Sequence, residues 1–318
     1  MDISYLLWLE GIRTSLPGFI ETLFVIISDI AANSALIILP CLLYWCLDKR
    51  GGEFLLFSFS LGTVCNQLIK NTVCAYRPWI RSKVLRPAQG ALAAATGYSF
   101  PSGHTQTAVN VIGAFGWHYR KKWPWLNIAC WVFVVLVAFS RNFLGVHTPQ
   151  DVIVALVESI TIIFATTCLL EWVNTSKGND RIVAIAAGVF TLAYLLYVLL
   201  KPYPMDLNET GAVLVDPVAM QIDCFKSGGI FSGAIVGWYL ERTYIGFKET
   251  DKRDWKRIVL RLVVGLIVIL ILHNVPKVLT FTGMDIRWLE FLKNFATGFG
   301  ASFVGPLAFT AVEGKVLK

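Results

Sequence analysis

Residues 149–172 read PQDVIVALVESITIIFATTCLLEW. A helix needs roughly 20 mainly apolar residues to cross the hydrocarbon core of a bilayer, and this run meets that length. The rest of the chain has the same character, since 56% of its 318 residues are hydrophobic, 15% are charged and the mean hydropathy is +0.62. Soluble globular domains carry about 25% charged residues. The composition therefore excludes a secreted, fibrous or disordered protein and predicts one that crosses a membrane several times.

Apolar runs of helical length recur along the chain and predict an all-α, polytopic transmembrane bundle. The predicted helices cover residues 19–29, 34–47, 53–70, 102–117, 125–140, 149–172, 182–200, 218–240, 258–272 and 288–312. The first two are separated by the polar stretch 29–33. We expect them to form a hairpin of two short helices, the alternative being one long helix.

The distribution of basic residues predicts the orientation of the helices. With ten helices and the N-terminus inside, most of the 28 lysines and arginines, Arg13 among them, fall on one side, which should be cytoplasmic. Loops 71–101 and 141–150 then lie on the outer side. If residues 19–47 form a single helix, only Arg13 changes sides.

The net charge and the cysteines argue for lipid partners and against nucleic acid or metal. The charge of +7 comes from basic residues at the ends of apolar runs, which suits anionic lipid headgroups better than nucleic acid. The seven cysteines include no C-x-x-C pair, so we interpret them as buried hydrophobes. No carboxylate cluster suits a metal, and we expect no cofactor.

Three polar clusters stand at predicted helix ends on the outer side. A lysine or arginine at hydrocarbon depth costs about 2.5 to 3.5 kcal/mol, and binding a multiply charged anion would explain several cations placed there. The clusters are Lys70 with Arg77-Pro78, Pro101-Ser102-Gly103-His104, and Ser140-Arg141 followed by His147 and Asp151.

The cations and the second cluster have the chemistry of a phosphate site. Lys70 and Arg77 are far enough apart for the chain to turn and bring both to one anion, and Arg141 can form paired hydrogen bonds to two phosphoryl oxygens. Ser102 is placed to cap a helix, which leaves the N–H groups of Gly103 and His104 free for an anion.

The histidines suit nucleophilic catalysis. Asp151 follows His147 by four residues, near enough to accept a hydrogen bond from one ring nitrogen and to make the other more nucleophilic. We expect His147 to attack phosphorus and become phosphohistidine, while His104 protonates the leaving alkoxide and then activates water. The cations supply the charge that Mg²⁺ provides elsewhere, so this scheme needs no metal.

The patterns K-x6-R-P, P-S-G-H and S-R-x5-H-x3-D occur in this order and resemble the three signature blocks of the type 2 phosphatidic acid phosphatase superfamily. The resemblance implies a six-helix core within residues 1–175, with the blocks at the outer ends of helices three to six. It also implies His147 as nucleophile, Asp151 as its partner, His104 as acid, and Lys70, Arg77, Ser102, Gly103 and Arg141 as phosphate ligands. About four additional helices in residues 176–318 have no assigned role.

The resemblance predicts an integral membrane phosphatase that hydrolyses a lipid phosphate monoester or pyrophosphate on the extracytoplasmic or luminal face. The stretches 43–50 and 145–152 most resemble the sphingosine-1-phosphate phosphatase branch. Two alternatives stay open: a lipid or sugar phosphotransferase with the same intermediate, and a lipid transporter or scramblase on a phosphatase core.

Two further groups of charges have open interpretations. Asp223 and Lys226 interrupt a weak apolar run, where they would line a substrate path or pair with each other. The basic residues Arg81, Lys83 and Arg86 would bind a second phosphate or lipid headgroups, or lie in a solvated loop.

Overall fold

The computed structural model describes residues 2–251 and 253–316, and these residues are helical almost throughout. The helices are α1 (Asp2–Ser15), α2 (Gly18–Ala32), α3 (Ile38–Leu42), α4 (Lys49–Val73), α5 (Pro78–Arg81), α6 (Gln89–Leu92), α7 (Gly103–Thr107), α8 (Ala114–Tyr119), α9 (Pro124–Phe143), α10 (Pro149–Val173), α11 (Asn179–Leu200), α12 (Pro217–Leu240), α13 (Trp255–Asn274), α14 (Ile286–Phe299) and α15 (Gly305–Val316). Extended pairing within the described ranges is limited to one isolated bridge between Leu207 and Val213. The all-α prediction is confirmed.

Short segments of other helix types join several of these elements. The π-helical turns are Leu43–Leu47, Ala108–Gly113, Glu241–Ile245 and Gly300–Val304, and the 3₁₀ turns are Ser34–Ile37 and Val275–Thr282. The segment that begins at Gly103 therefore stays helical up to Tyr119, because a π-helical turn links α7 to α8.

Five helical segments of the described chain are long and apolar enough to cross a membrane. They are Pro124–Phe143, Pro149–Val173, Asn179–Leu200, Trp255–Thr282 and Ile286–Gly314. The protein is therefore a multi-pass membrane protein. The long helices α4 and α12 are more polar than these five, because α4 carries Asn66 and Lys70 and α12 carries Asp223 and Lys226.

The region 18–47 contains the polar break that the sequence predicts. Helix α2 ends before Asn33, whose side-chain oxygen accepts a hydrogen bond from the N–H of Ala35 (2.8 Å). The segments Gly18–Ala31 and Ala35–Leu47 qualify as a membrane span only together, as one bent pair. The bend at the break is 48°, and such a pair is either a broken span or a re-entrant loop.

Within the described ranges the chain forms two compact units, each made of separate stretches. The first unit combines Met1–Leu36, Cys65–Ile163 and Pro202–Met220, and the second combines Ile37–Val64, Phe164–Lys201 and Gln221–Lys318. All eight site residues predicted from the sequence lie in the first unit.

Helix α1 belongs to the core of the first unit. Its residues Leu6 and Leu9 are buried in one apolar cluster with Leu85, Ala88, Phe143 and Leu144. Arg13, at the end of α1, is also buried and donates hydrogen bonds to the carbonyl oxygens of Leu144 (3.3 Å) and Arg86. These acceptors belong to the loops that carry the predicted site. Arg13 therefore lies beside the site loops, and its predicted placement on the opposite side from loops 71–101 and 141–150 was wrong.

The second unit contains a buried ionic network at Glu241. This carboxylate is fully buried and accepts hydrogen bonds from Lys49 Nζ (2.8 Å), the Tyr44 hydroxyl (3.0 Å) and the N–H of Phe247 (3.0 Å). A buried carboxylate is stable only when its oxygens are paired in this way. The network joins two of the separate stretches of the second unit.

We expect Glu241→Ala to lower the free energy of unfolding by about 3 kcal/mol, because it leaves Lys49 and the Tyr44 hydroxyl without their buried acceptor. The exposed Glu249, which accepts a hydrogen bond from the backbone N–H of Lys49 (2.8 Å), provides the matched control. Glu249→Ala should change stability by less than about 1 kcal/mol. Unfolding in mixed micelles measures both values, and equal losses would contradict the special role of Glu241.

Candidate active site

The structure joins the three predicted clusters by direct hydrogen bonds. Lys70 lies in the last turn of α4, Ser102 caps α7, and Asp151 lies in the first turn of α10. Lys70 Nζ donates to the carbonyl oxygens of Tyr98 (3.1 Å) and Pro101 (2.8 Å), which fixes the loop before Ser102. The N–H of Ser102 in turn donates to the carbonyl oxygen of Asp151 (3.0 Å). The chain ends that carry the clusters therefore meet at one place.

His147 and Asp151 form the predicted pair. His147 Nδ1 lies 3.3 Å from Asp151 Oδ2, and both side chains are buried. The same carboxylate oxygen accepts hydrogen bonds from the Thr148 N–H (2.8 Å) and from the Ser99 hydroxyl (2.5 Å). These donors hold the carboxylate in place beside the ring.

Arg77 determines which nitrogen of His147 carries the proton. Its Nη1 lies 2.8 Å from His147 Nε2, and a guanidinium group can only donate, so Nε2 is the unprotonated nitrogen. The proton is then on Nδ1, facing Asp151. Burial, with the neighbouring charges of Arg77 and Arg141, holds the pKa of His147 well below its usual range, which keeps the ring neutral. Nε2 is therefore available as a nucleophile.

Arg77 also connects the loops around the site. Its Nη1 donates to the Val146 carbonyl oxygen (3.1 Å), its Nε to that of Gly97 (3.1 Å) and its Nη2 to that of Thr96 (2.6 Å). Burial lowers the pKa of Arg77 to about 10, so the side chain stays charged at neutral pH. Arg77 thus places a fixed positive charge beside His147.

Arg141 differs from the other two cations because most of its donors are free. The side chain is 0% exposed, and its Nη1 donates to the Ser28 hydroxyl of α2. Among the described residues, its Nε and Nη2 have no hydrogen-bond partner. Unpaired buried N–H groups cost free energy. These donors of Arg141 are therefore suited to bind acceptor atoms of a ligand.

His104 lies in the same electrostatic environment. Arg141, Arg77 and Lys70 are all close enough to interact with its ring electrostatically. Its Nε2 is buried and contacts no hydrogen-bond partner in the part of the chain that the structure describes. A second histidine thus lies near Arg141 and its unpaired donors.

The start of α7 is arranged as the sequence predicts. Ser102 Oγ accepts from the Thr105 N–H (3.4 Å), and as the first residues of the helix Gly103 and His104 have no intrahelical acceptor for their N–H groups. A Cβ built on Gly103 would lie 4.0 Å from its nearest neighbour, Asn66 Oδ1. The space beside this backbone is therefore open to a ligand.

Sequence reasoning missed several residues that support the site. Ser99 holds Asp151, Ser28 holds Arg141, and Asn142 Nδ2 donates to the His147 carbonyl oxygen (2.9 Å). Asn142 follows Arg141 directly, so its position next to the S-R-x5-H-x3-D motif was a signal in the sequence. Ser28 carries no local signal, because it reaches the site only through the packing of α2.

The loop before α12 also packs on the site loops. The Tyr203 hydroxyl donates to Asn71 Oδ1 (3.1 Å), beside Lys70, and the Tyr76 hydroxyl donates to Asp206 Oδ2 (2.6 Å). Desolvation and the Asp206 carboxylate raise the pKa of Tyr76 to about 12, so it stays a donor. The stretch Pro202–Met220 therefore supports the loop that carries Arg77.

Four of the five charged side chains in the two remaining groups have ion-pair partners. Lys226 Nζ lies 3.2 Å from Asp223 Oδ1, so these residues pair with each other. Arg81 pairs with Asp2 (2.8 Å), and Lys83 pairs with Glu209. Within residues 2–251 and 253–316, no group of three histidine, cysteine or carboxylate side chains could hold a metal ion.

Fold and site together define a multi-pass helical membrane protein in which a histidine–carboxylate pair lies among three buried cations. The chain belongs to the PAP2 superfamily. The model of the PAP2 superfamily matches residues 53–175, which include all eight predicted site residues. The model of the PAP2 superfamily phosphatase transmembrane extension matches residues 225–315. The family resemblance seen in the three motifs is confirmed.

Two curated proteins are similar to part of the chain. Phosphatidylglycerophosphatase B of Bacillus subtilis is 31% identical over 109 residues, which make up 32% of this chain and 49% of that protein. Undecaprenyl-diphosphatase of Sulfolobus acidocaldarius is 32% identical over 110 residues, 33% of this chain and 48% of that protein. The chain thus spans about half the length of the curated relatives it matches. No solved structure matches the chain.

Proposed function

We propose that the protein is a membrane phosphatase that hydrolyses a lipid phosphate, either a monoester or a pyrophosphate, through a phosphohistidine on His147 and without a metal ion. The observation that carries this proposal is the combination of an unprotonated, buried His147 Nε2 with the unpartnered buried donors of Arg141. A phosphate group supplies an electrophilic phosphorus for His147 Nε2 and acceptor oxygens for Arg141. Family membership and the names of the two relatives support the reaction class.

In the first step the phosphate oxygens accept hydrogen bonds from Arg141, from the N–H groups of Gly103 and His104, and from Arg77. The hydrogen bond that Arg77 Nη1 donates to His147 Nε2 is replaced by one to a phosphate oxygen, which frees the lone pair of Nε2. Nε2 attacks phosphorus as the P–O bond to the lipid breaks, and His104 protonates the departing alkoxide. The negative phosphate favours the protonated form of His104 that this role needs.

In the second step water attacks the phosphohistidine. His104, now neutral, takes a proton from the water, the new P–O bond forms and the P–N bond breaks. Inorganic phosphate leaves, and His147 Nε2 regains its lone pair. Asp151 stays ionised and stabilises the positive ring that exists between the steps. Lys70 keeps the loop before Ser102 in place and adds positive charge.

The phosphohistidine can be trapped in the variant His104→Ala with p-nitrophenyl phosphate that carries radioactive phosphorus. Nitrophenolate is a good leaving group, so the first step does not need His104 as an acid. The attack of water in the second step still needs His104 as a base, so the intermediate should accumulate. We expect radioactive phosphate on the quenched protein that is stable to base and labile to acid, as a P–N bond is. The double variant His104→Ala/His147→Ala should carry none, and label retained in it would contradict the assignment of the nucleophile.

We further propose that residues 1–175 act as the catalytic core, with 176–318 as additional helices, and that the site lies on the extracytoplasmic or luminal face. The distribution of lysine and arginine supports this orientation. The exposed Thr210 lies in the loop that packs on the site, and the exposed Lys122 precedes α9, whose far end carries Arg141.

In sealed vesicles with the cytoplasmic face outward, we expect Lys122→Cys to react at once with a membrane-impermeant maleimide. Thr210→Cys should react only after permeabilisation, because it lies at the other end of α9 from Lys122. The unsubstituted protein gives the background from its own cysteines. The reverse pattern would place the site on the cytoplasmic face and overturn the proposed orientation.

A further inference from the structure

Glu158 is a charged residue in the membrane helix α10 that the proposed mechanism does not use. It follows Asp151 by seven residues, which places the two on the same face of the helix, about 10 Å apart along its axis. Its Oε2 accepts a hydrogen bond from Asn66 Nδ2 (3.2 Å). Its Oε1 is buried and has no partner among the described residues.

Asn66 places this pair next to the phosphate site. Asn66 lies one turn before Lys70 on α4, and its side-chain oxygen is the nearest atom to the open space beside Gly103 (4.0 Å). Lys70 is also close enough to interact electrostatically with Glu158. The Asn66–Glu158 pair therefore lies just below the phosphate-binding groups, toward the membrane interior.

A purely structural role leaves one oxygen of Glu158 unexplained. A hydrogen bond that only ties α4 to α10 is made equally well by a neutral glutamine, whereas an ionisable group within the membrane is expensive and usually serves a function. Helix side chains lean toward the helix N-terminus, and the N-terminus of α10 is where Asp151 and His147 lie. Glu158 therefore lies on the face of α10 that carries Asp151 at its N-terminal end.

We propose that Glu158, held by Asn66, recognises a hydrogen-bond donor on the substrate, an ammonium or hydroxyl group a few bonds from the phosphate ester. This proposal rests on the proposed phosphatase function and names its substrate class. A donor at that position satisfies Glu158 Oε1, and an ammonium also neutralises its charge. Substrates with an unsubstituted chain next to the phosphate leave this oxygen unpaired and bind the transition state less well.

Three phosphate monoesters of equal chain length test the proposal: a 2-aminoalkyl, a 2-hydroxyalkyl and an unsubstituted alkyl phosphate. For the unaltered protein we expect kcat/KM to be at least about 10-fold higher for one or both donor-bearing substrates than for the unsubstituted one. Glu158→Gln keeps an acceptor for Asn66 and should remove most of this preference. Its activity on the unsubstituted substrate should stay within about twofold.

The comparison of the two donors identifies which one the site prefers. A preference for the amine that disappears in Glu158→Gln indicates an ammonium, and a preference for the alcohol indicates a hydroxyl. Glu171→Gln, an exposed change at the far end of α10, is the matched control and should behave like the unaltered protein.

Three results would overturn the inference. Equal kcat/KM for all three substrates in the unaltered protein would show that no donor is recognised, with the phosphatase function intact. An equal loss on all three in Glu158→Gln would show a structural role. Phosphate release from none of them would refute the inference, and the absence of release from an alkyl pyrophosphate as well would refute the proposed function.

Discussion

Replacing His147 by alanine should lower phosphate release from lipid phosphates by at least about 10⁴-fold, because it removes the nitrogen that we propose as the nucleophile. Purified protein in detergent with EDTA, assayed for inorganic phosphate across several lipid classes, measures the effect. Detection of inorganic phosphate also separates hydrolysis from transfer to a second alcohol, because transfer releases none.

The control for this experiment is His118→Ala. His118 lies in α8 and contacts the ring of Tyr119 edge-on, with ring centroids 4.7 Å apart. It has no part in the proposed chemistry, so activity should stay within about twofold. Turnover that needs a metal ion and survives in His147→Ala would contradict the covalent mechanism. Movement of labelled lipid across liposomes by that variant would favour a transporter.

Asp151→Asn should lower kcat by at least about 10²-fold although it changes no volume. One carboxylate oxygen accepts from the Thr148 N–H and the Ser99 hydroxyl and faces His147 Nδ1. An amide oxygen in the same position keeps these three contacts, because the Thr148 N–H needs an acceptor there. The amide carries no negative charge, so the positive ring that forms when Nε2 attacks phosphorus loses its stabilising partner.

The control here is Asp223→Asn, which changes a half-exposed carboxylate paired with Lys226 in α12. We expect it to leave kcat unchanged within about twofold. Because Asp151 acts through His147, its loss should appear mainly in kcat, with KM little affected. A matching rise in KM with kcat preserved would mean that Asp151 only shapes the phosphate pocket.

The helices and the core of the site could be predicted from local sequence. Residues 149–172 predict α10 because apolar length alone makes a membrane helix. The capping role of Ser102 and the His147–Asp151 contact follow from spacings of three and four residues, within one helical turn. The structure has both features at the predicted positions.

The sequence did not predict features that depend on contacts between distant residues. Arg13 lies beside the site loops because its guanidinium group donates to the carbonyl oxygens of Leu144 and Arg86, and a hydropathy pattern does not show such contacts. The supporting residues Ser28, Ser99 and Tyr203 carry no local signal. Each matters only because folding brings its hydroxyl to a site residue.

The class of the protein, the positions of its membrane helices and the residues of its candidate site depend on composition and short spacings, so the sequence alone predicts them. Three further features appear only in the folded chain: Arg77 leaves His147 Nε2 unprotonated, Arg141 keeps donors without a partner among the described residues, and Glu158 keeps such an oxygen near the candidate site. Arg77 and His147 are 70 residues apart, and Asn66 and Glu158 are 92. Whether such side chains meet depends on helix packing, which no local pattern encodes.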